Sequence, residues 1–500
     1  MMRAVHDKYA VALLMVLFWA GALWQADLPG LYMDGINPDY LAARFFNRAL
    51  PNAVWILPAK GPILLGSLYH GVQNYYVDLP VFWLLGISLL SIRIAQSLFG
   101  AAIVLLLYFL AVRVTQNRLV ALLAAALLAT DIAFLASFRT QFYIVLGGEA
   151  WLFASLLALW SRHRAGPLLS GLFFGLALYG YFVLAFFLPA MIVLVLAQPR
   201  RPVRLWAGGV ALGLLPYVLG YVFLFRAIGG VSSGMRDLTS RFSGAAPLSA
   251  PESLWERIEG AFALTRLAIT NGGNEAMIFS EALGSPWGEL KFALFAGILV
   301  LALLRLRWTP PHRLIVLLPV SYLICATLLG SRLWVHHYSV LVPLGYLLLA
   351  VTVGDLARDR RFLAVSAMAA LALLAVNVGQ SVGFHRELAE TGGVRKQSDA
   401  LTRLAQNARE RPPTLYVFPE WGFFMSFALL TENRVRYVLD PAEITREACA
   451  CDQVALAYWN DADTAGYRSL LEAKNLRNIE TTAYAQRDGR PAFHLMTGTF

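Results

Sequence analysis

The chain has 500 residues, of which 58% are hydrophobic and only 14% are charged. Soluble domains carry roughly 25% charged residues, so this composition excludes an ordinary soluble protein and indicates that lipid is its main solvent. The formal net charge is +10, but the arginines cluster in short connections between apolar runs. That is the positive-inside pattern of membrane proteins, and it requires no nucleic-acid partner.

Apolar runs close to the roughly 20 residues that cross a bilayer recur along most of the chain. The first is interpreted as a retained helix, because no cleavage region of small residues follows it. The stretch 167–198 is predicted to contain two crossings, since one long helix there would place the later arginine clusters on the wrong side of the membrane. The predicted spans, about eleven, are residues 9–28, 93–112, 119–136, 143–160, 167–181, 182–198, 205–225, 289–304, 314–330, 340–356 and 362–380.

Arginine clusters occupy alternate connections between these spans, from Arg3 with Lys8 at the start to Arg358, Arg360 and Arg361 near the end. One alternating set holds all of the clusters, which predicts a cytoplasmic N-terminus. An odd number of crossings then places the C-terminal part outside the cell. The abundance of Ala, Leu and Arg over Lys suggests a bacterium, and so the plasma membrane.

Three exported pieces are larger than turns. The loop at about 29–92 contains a short apolar stretch, 79–90, that predicts an interfacial or re-entrant helix. The loop at about 227–288 contains a predicted helix at 251–267. The composition after residue 380 becomes that of a soluble protein, with strand-like runs such as 414–418 and 436–439. We therefore predict a membrane domain over 1–380 and a small extracytoplasmic α/β domain over 381–500.

Cysteine usage predicts neither a disulfide framework nor a zinc site. Cys325 lies in an apolar run, and Cys449 and Cys451 have one residue between them. That spacing rarely allows good disulfide geometry.

Polar side chains at the outer ends of spans are the candidates for chemistry, because they are costly to keep there without a use. Asp34 follows the first span, and no local backbone role explains it, so it is a candidate catalytic base; the alternative is an ordinary loop aspartate. Asn37-Pro38 predicts the start of an amphipathic surface helix. Asp39 then falls in its first turn, where the helix dipole favours an acid, which is the structural alternative to a catalytic role.

Basic residues on the outer side depart from the positive-inside trend. Arginine binds phosphate oxygens through two parallel hydrogen bonds and lysine acts as a point charge, so these residues are candidates for binding a lipid phosphate. The alternative is that they extend toward lipid headgroups. The candidates are Lys60, Arg139, Arg332, His336 and His337.

Three further polar features carry less weight. His336 and His337 are adjacent, so their side chains diverge, and we predict no metal site there. Asp461-Ala-Asp463 resembles an acidic pair that holds a metal and a nucleotide sugar, but in an exported domain it is predicted to be a solvated loop. Glu149 lies inside a span, which predicts a polar contact within the bundle, structural or functional.

Several of these segments resemble the GT-C membrane glycosyltransferases, specifically the branch of protein O-mannosyltransferases and lipid A aminoarabinose transferases, close to glycosyltransferase family 39. The resemblance covers roughly residues 9–350. It lies in the order and spacing of Met33-Asp34-Gly35, of 79–86 leading into Ser91-Ile-Arg93, of Ser137-Phe-Arg139-Thr140 and of the glycine-rich 165–178.

This resemblance implies a mainly α, polytopic GT-C fold that transfers sugar from a polyprenyl-phosphate donor to a hydroxyl acceptor on the outer face. The acceptor would be a glycan, a lipid or a protein. Asp34 would be the general base, usually with inversion and often without a metal, and no cofactor is implied. A base must take the proton from within hydrogen-bonding distance, and cations at the boundary would stabilise the leaving phosphate.

Two departures from the family pattern concern its additional acids. Family members often have a glutamate where this chain has Gly35, and an acid where it has Gln141; Asp39 is a possible replacement.

Two other functions are alternatives to a glycosyltransferase. One is a secondary transporter or flippase, against which the absence of a clear internal repeat counts. The other is a non-catalytic subunit of a membrane assembly or polysaccharide exporter.

Overall fold

A computed structural model describes residues 2–51, 61–199, 202–230, 232, 253–305, 311–356, 360–410 and 413–500. It is a mainly α-helical membrane protein with a small C-terminal sheet domain. In the membrane part the described α-helices are α1 Met2–Ala22, α2 Asn37–Phe46, α3 Gln73–Leu85, α4 Leu89–Thr115, α5 Arg118–Ala129, α6 Ile132–Leu135, α7 Tyr143–Leu159, α8 Gly166–Gly180, α9 Leu188–Leu196, α10 Val203–Ala227, α11 Leu254–Ile269, α12 Gly272–Phe279, α13 Pro286–Leu304, α14 Leu317–Leu329, α15 Leu341–Leu356 and α16 Arg360–Thr391.

Apolar helices coincide with each predicted span, but they differ in length. Five helical segments among the described residues are long and apolar enough to cross a membrane, and a bent pair is a sixth candidate. The other predicted spans correspond to apolar helices of 10–17 residues. A multi-pass protein is therefore confirmed, while the count of eleven crossings stays a prediction. The five long segments are Leu89–Thr115, Val203–Ala227, Pro286–Leu304, Val335–Leu356 and Ala367–Thr391.

The bent pair joins α5 to Ile132–Arg139 at 57°, and Asp131 lies at the bend. One Asp131 oxygen accepts from the Ala133 backbone and, at 2.9 Å, from Lys291 Nζ; the other accepts from Tyr346 Oη at 2.7 Å. Both members of the ion pair are fully buried. A charge in this environment requires a partner and hydrogen bonds, and Asp131 has both. The bend is thereby fixed to α13 and α15.

The stretch 167–198 forms two helical elements, α8 and Phe182–Leu196, as predicted. The break is at Tyr181, whose backbone is extended. Its neighbours pair with the first external loop: Gly71 N donates to Tyr179 O at 2.7 Å and Phe182 N to Tyr69 O at 3.1 Å. Backbone groups freed by a break need such partners inside the protein.

The helices of the first external loop differ in detail from the prediction. The helix α3 ends at Leu85, and Gly86, with φ of 72°, separates it from α4, so the predicted helix at 79–90 spans a break. The first-loop helix α2 has Pro38 in its first turn as predicted, but Asn37 lies within the helix and Ile36 is the capping residue. The predicted helix at 251–267 is α11, which begins at Leu254 with a Ser253–Glu256 capping box.

The C-terminal domain is a five-stranded mixed sheet with helices, as the sequence predicts. Its strand order is β2-β1-β3-β5-β4, in which β1 is parallel to β2 and β3, and β5 is antiparallel to β3 and β4. The predicted domain boundary near residue 380 lies inside α16. The elements are α17 Ala400–Glu410, β1 Thr414–Val417, α18 Phe424–Leu430, β2 Tyr437–Val438, α19 Arg446–Cys449, β3 Gln453–Tyr458, α20 Thr464–Ala473, β4 Arg477–Ala485 and β5 Pro491–Thr499.

One hydrophobic core joins this domain to the first external loop. It contains Met33 and Tyr40 from the loop together with Tyr416, Phe427 and Phe493 from the domain. Burial of aromatic and aliphatic surface is the main favourable term in association, so the domain is packed onto the loop and does not hang freely from the membrane part.

The prediction for the C-terminal cysteines is wrong, because Cys449 and Cys451 form a disulfide. Ala450 between them adopts a left-handed conformation, with φ of 42°. This brings their Cα atoms to 4.8 Å, within the range that a disulfide spans.

Candidate catalytic site

Asp34 lies in a short 3-10 turn, Met33–Gly35, between α1 and α2. Its carboxylate is half-buried, and the side chains of Tyr32 and Trp421 lie close enough to act on it. Burial raises the pKa of Asp34, whereas Tyr32, the nearby ammonium of Lys396 and Trp421 lower it, and the net direction is upward. A carboxylate with a raised pKa is a stronger base than free aspartate, while partial exposure leaves it open to a substrate.

Two side chains of α4 fix the backbone around Asp34 from the membrane side. Arg93 donates to Pro29 O at 2.7 Å and to Gln96 Oε1 at 3.3 Å. Gln96 donates through Nε2 to Gly35 O at 2.9 Å. Arg93 belongs to the segment on which the family resemblance rests, and its contacts give it a positioning role.

Arg139 is also buried, and its guanidinium donates to the backbone where α1 ends and the first loop begins. The acceptors are the carbonyls of Leu28 at 3.1 Å, Gln25 at 3.2 Å, Ala22 at 3.4 Å and Trp24. Carbonyls at a helix C-terminus lack helical partners, and a cation is favourable there. With its donors engaged in this way, Arg139 holds the first loop, and we assign it no phosphate.

The first external loop also contributes Tyr69 and His70 to the candidate site. The loop passes close to Tyr179 at Gly71, where a Cβ would overlap the tyrosine ring. The ring of His70 stacks on that of Tyr181, with centroids 5.4 Å apart, and its Nδ1 lies 2.8 Å from Gly71 O. Burial lowers the pKa of His70 to about 4, so the imidazole is neutral at pH 7. Burial raises the pKa of Tyr69, and the charge of Asp34 raises it further.

His336 and His337, in the turn Val335–Val340, lie next to Tyr181. Tyr181 Oη lies 3.4 Å from His336 Nε2 and 3.3 Å from His337 Nε2. Trp334 N donates to His337 Nδ1 at 2.8 Å, so Nδ1 carries no proton and Nε2 is the donor toward Tyr181. The structure thus brings both predicted histidines together with three residues that the sequence did not single out. We call Tyr69, His70, Tyr181, His336 and His337 the tyrosine–histidine cluster.

Asp39 is not at this surface. Its exposed fraction is 0%, and its Oδ2 accepts from Tyr143 Oη at 2.7 Å and Gln96 Nε2 at 3.1 Å. Asp78 of α3 is also buried, and its pKa is raised well above the usual range by burial and by the charge of Asp39. In this position Asp39 is not exposed to an acceptor. Its surroundings favour the structural alternative of an acid in the first helical turn.

The remaining candidates lie apart from the cluster or outside the described part of the chain. Arg332 is exposed in the turn before His336. Lys60 falls outside the described residues. Glu149 is fully buried, and neither of its oxygens accepts a hydrogen bond from the described residues, so the predicted polar contact in the bundle is not found there. Asp461 and Asp463 are exposed, as predicted. Among the described residues, no three His, Cys, Asp or Glu side chains are grouped as a metal site would require.

The C-terminal domain completes the surroundings of Asp34, and sequence reasoning missed this. Gly422 N donates to Met33 Sδ at 3.1 Å, beside Asp34. Trp421 is 46% exposed, and Trp459 Nε1 donates to its carbonyl at 2.8 Å. Lys396 Nζ lies over the ring of Trp459 at 5.8 Å. The sequence signal for these residues was weak: they are aromatic and basic residues of the C-terminal domain, far along the chain from Asp34.

Comparison with solved structures identifies the fold. ArnT from Cupriavidus metallidurans in the apo state superimposes with a TM-score of 0.60 and 13% identity, covering 100% of this chain and 98% of that chain. The same ArnT bound to undecaprenyl phosphate gives a TM-score of 0.58 and 12% identity, covering 98% and 97%. No protein-family model matches the sequence, and no curated protein matches it.

These similarities extend from the membrane helices through the C-terminal domain. At this level of identity they establish the fold. The fold expected from the order of the sequence motifs is therefore confirmed: over its whole length this chain has the fold of ArnT.

Proposed function

We propose that the chain transfers a sugar from a polyprenyl-phosphate-linked donor to an acceptor hydroxyl at the outer face of the plasma membrane. The observation that carries this proposal is the position of Asp34. It is a half-buried carboxylate with a raised pKa, held between the membrane part and the C-terminal domain, and its charge acts on Tyr69 of the tyrosine–histidine cluster.

In the proposed reaction Asp34 takes the proton of the acceptor hydroxyl as the oxygen attacks the anomeric carbon. The bond from that carbon to the carrier phosphate breaks, and the polyprenyl phosphate leaves with the bonding electrons. A single displacement of this kind inverts the anomeric centre and requires no metal in principle. Deprotonation by a positioned base typically contributes 10²–10⁴-fold to the rate, so about that much depends on Asp34.

The leaving phosphate needs hydrogen-bond donors where its charge develops. The proposed donors are His337 Nε2–H and the Tyr181 hydroxyl in the tyrosine–histidine cluster, with His336 beside them. Lys60 and Arg332 remain proposed phosphate contacts on the basis of their charge and their predicted side. Undecaprenyl phosphate bound to the ArnT of similar fold supports the choice of carrier. The sugar is left open, and the acceptor is a glycan, a lipid or a protein.

The orientation proposed with this function is a cytoplasmic N-terminus and an extracytoplasmic C-terminal domain. The charge pattern of the connections supports it. The catalytic carboxylate then faces the compartment in which lipid-linked sugars, and not nucleotide sugars, are the donors.

Transfer with purified protein in lipid nanodiscs tests the proposal. Radiolabelled polyprenyl-phosphate sugars are supplied with a membrane extract, and labelled products are separated from the donor. We expect label to appear in a new product with release of the carrier phosphate. If folded protein forms no product but moves labelled donor between the leaflets of proteoliposomes, the chain is a flippase and the proposal is wrong.

A further inference from the structure

Asp34 lies in the first external loop. Two segments of the C-terminal domain, about 360 to 390 residues further along the chain, lie next to the turn that carries it. Gly30 N donates to Gln397 O at 2.9 Å, and a Cβ on Gly30 would overlap the Ser398 carbonyl. The loop and the segment 393–399 are therefore in backbone contact just before Asp34.

A second contact is made at Met33, the residue directly before Asp34. Gly422 N donates to Met33 Sδ at 3.1 Å, and a Cβ on Gly422 would lie 3.4 Å from the ring of Tyr32. Gly422 has φ of 112°, a conformation that favours glycine. This turn places the indole of Trp421 against the carboxylate.

Trp459 contacts both of these C-terminal segments. Trp459 stacks on Phe423 with centroids 3.9 Å apart, and its Nε1 donates to Trp421 O. Lys396 Nζ lies 5.8 Å from the centre of the Trp459 ring, a cation–π distance. Trp459 thus fixes the turn that carries Trp421 and contacts the ammonium that faces Asp34.

We propose that Trp421 and Lys396, both from the C-terminal domain, are positioning residues that orient the Asp34 carboxylate and keep it charged for proton abstraction. In this role the indole N–H of Trp421 would donate to the carboxylate and fix its plane. The ammonium of Lys396 offsets the cost of keeping a half-buried charge. The C-terminal domain is then part of the catalytic site. Without this domain, the Asp34 carboxylate of the membrane part would be neither oriented nor kept charged for proton abstraction.

The charged and titratable groups that act on Asp34 allow this role to be separated from simple packing. They are Tyr32 and Tyr69 from the first loop and Lys396 from the domain. The two tyrosines are neutral at pH 7, because the ordinary pKa of tyrosine is about 10 and burial raises it further in both. Lys396 is the cation in this set, and it is exposed, so its replacement should leave the fold intact.

The test is an infrared pH titration of the protein in nanodiscs. The band of the protonated carboxyl of Asp34 is defined by subtracting the spectrum of Asp34→Asn. Trp421→Phe removes the N–H donor and keeps an aromatic ring, and Lys396→Met removes the charge. Each loss favours the protonated form, so we expect the titration midpoint to move to higher pH in both variants and further in the double variant. Lys396→Arg should restore the wild-type midpoint.

Matched controls are Trp255→Phe, an exposed tryptophan of α11, and Lys474→Met in the C-terminal domain. Neither should move the midpoint. An unchanged midpoint in Lys396→Met and in folded Trp421→Phe would overturn the proposal. If Trp421→Phe does not fold, the exposed Lys396 pair of variants decides.

This inference rests on the proposed function only for the role of Asp34 as base, and the two fail separately. The titration needs no substrate, so it gives a result even if no donor is accepted. Where transfer is measured, the acid limb of the rate profile should move with the infrared midpoint. A purely structural role for Trp421 or Lys396 would lower the rate equally at all pH values.

Discussion

Gln96 Nε2 lies 2.9 Å from the backbone carbonyl of Gly35, the residue after Asp34. The same nitrogen is 3.1 Å from Asp39 Oδ2, so one amide of α4 holds both the turn of the proposed base and the first turn of the next helix. The position of Asp34 therefore depends on a membrane helix 60 residues away. The predictions below separate positioning from chemistry.

Replacement of Gln96 by leucine should impair transfer while leaving donor binding close to wild type. The volume is kept, but the turn carrying Asp34 loses its hydrogen bond. Misplacement of a reacting group by about 1 Å can cost about 100-fold, so we expect kcat to fall by about 10- to 100-fold. Steady-state kinetics measure this, and Gln198→Leu is the matched control, because the side chain of Gln198 donates to Leu194 O at the end of the preceding helix. An unchanged kcat would show that the turn needs no support from α4.

Arg139→Gln should destabilise the fold more than it weakens donor binding. It takes the guanidinium donors away from the buried carbonyls of Ala22 and Leu28, and an unsatisfied buried group costs about 1–3 kcal/mol. We expect a clear fall in the thermal unfolding midpoint in nanodiscs. A stable variant that had lost affinity for polyprenyl phosphate would instead restore the phosphate role that the sequence suggests for this arginine.

The rate of transfer should depend on pH through Asp34. Burial raises the pKa of Asp34, and only the deprotonated form accepts a proton, so kcat/KM should fall as pH drops through the raised pKa and level off above it. The fall of kcat/KM on the acid side should begin at a higher pH than it would for a free aspartate. A profile that stays flat down to the pKa of free aspartate would contradict a half-buried base.

Asp78→Asn should stabilise the protein, and more so at higher pH. Asp78 Oδ2 is buried without a hydrogen bond from the described residues, and its folded pKa is raised above the unfolded value. Stability from such a group is present at low pH and lost as pH rises through the folded pKa. We therefore expect the unfolding midpoint of the variant to exceed that of wild type at pH 8 and to approach it at pH 5.

Asp452→Asn, an exposed acid of the C-terminal domain, is the control for that comparison and should show no such pH dependence. If Asp78→Asn lowers the midpoint at pH 8, the Asp39–Asp78 pair is a stabilising contact and the electrostatic account of it is wrong.

The sequence predicts the general fold because lipid imposes strong constraints. Long apolar runs, arginine-rich connections and a change of composition near residue 380 suffice for a multi-pass protein with an α/β domain. Helix lengths are harder, because breaks at Gly86 and Tyr181 are stabilised by contacts with distant segments. The Cys449–Cys451 disulfide depends on the left-handed backbone at Ala450, which the sequence does not reveal.

The candidate site was predictable only where a polar residue has no local explanation. Asp34 is such a residue, and so are the paired histidines. Arg139 has the same sequence signature, but its donors are engaged by the end of α1, a partner 111 to 117 residues away. Tyr69 joins Tyr181 only because the helix breaks, and Trp421 reaches Asp34 only because the domain docks on the first loop. Contacts between segments that are distant in the chain leave no pattern in the local sequence.

The most direct test of the central claim compares wild type with Asp34→Asn in transfer from polyprenyl-phosphate sugars, with Asp463→Asn as an exposed control. The account predicts that Asp34→Asn loses at least about 100-fold in kcat while it still binds polyprenyl phosphate and unfolds at a similar temperature. The control should keep wild-type activity. Transfer by Asp34→Asn at the wild-type rate would contradict the account, because the proton would then go to another group.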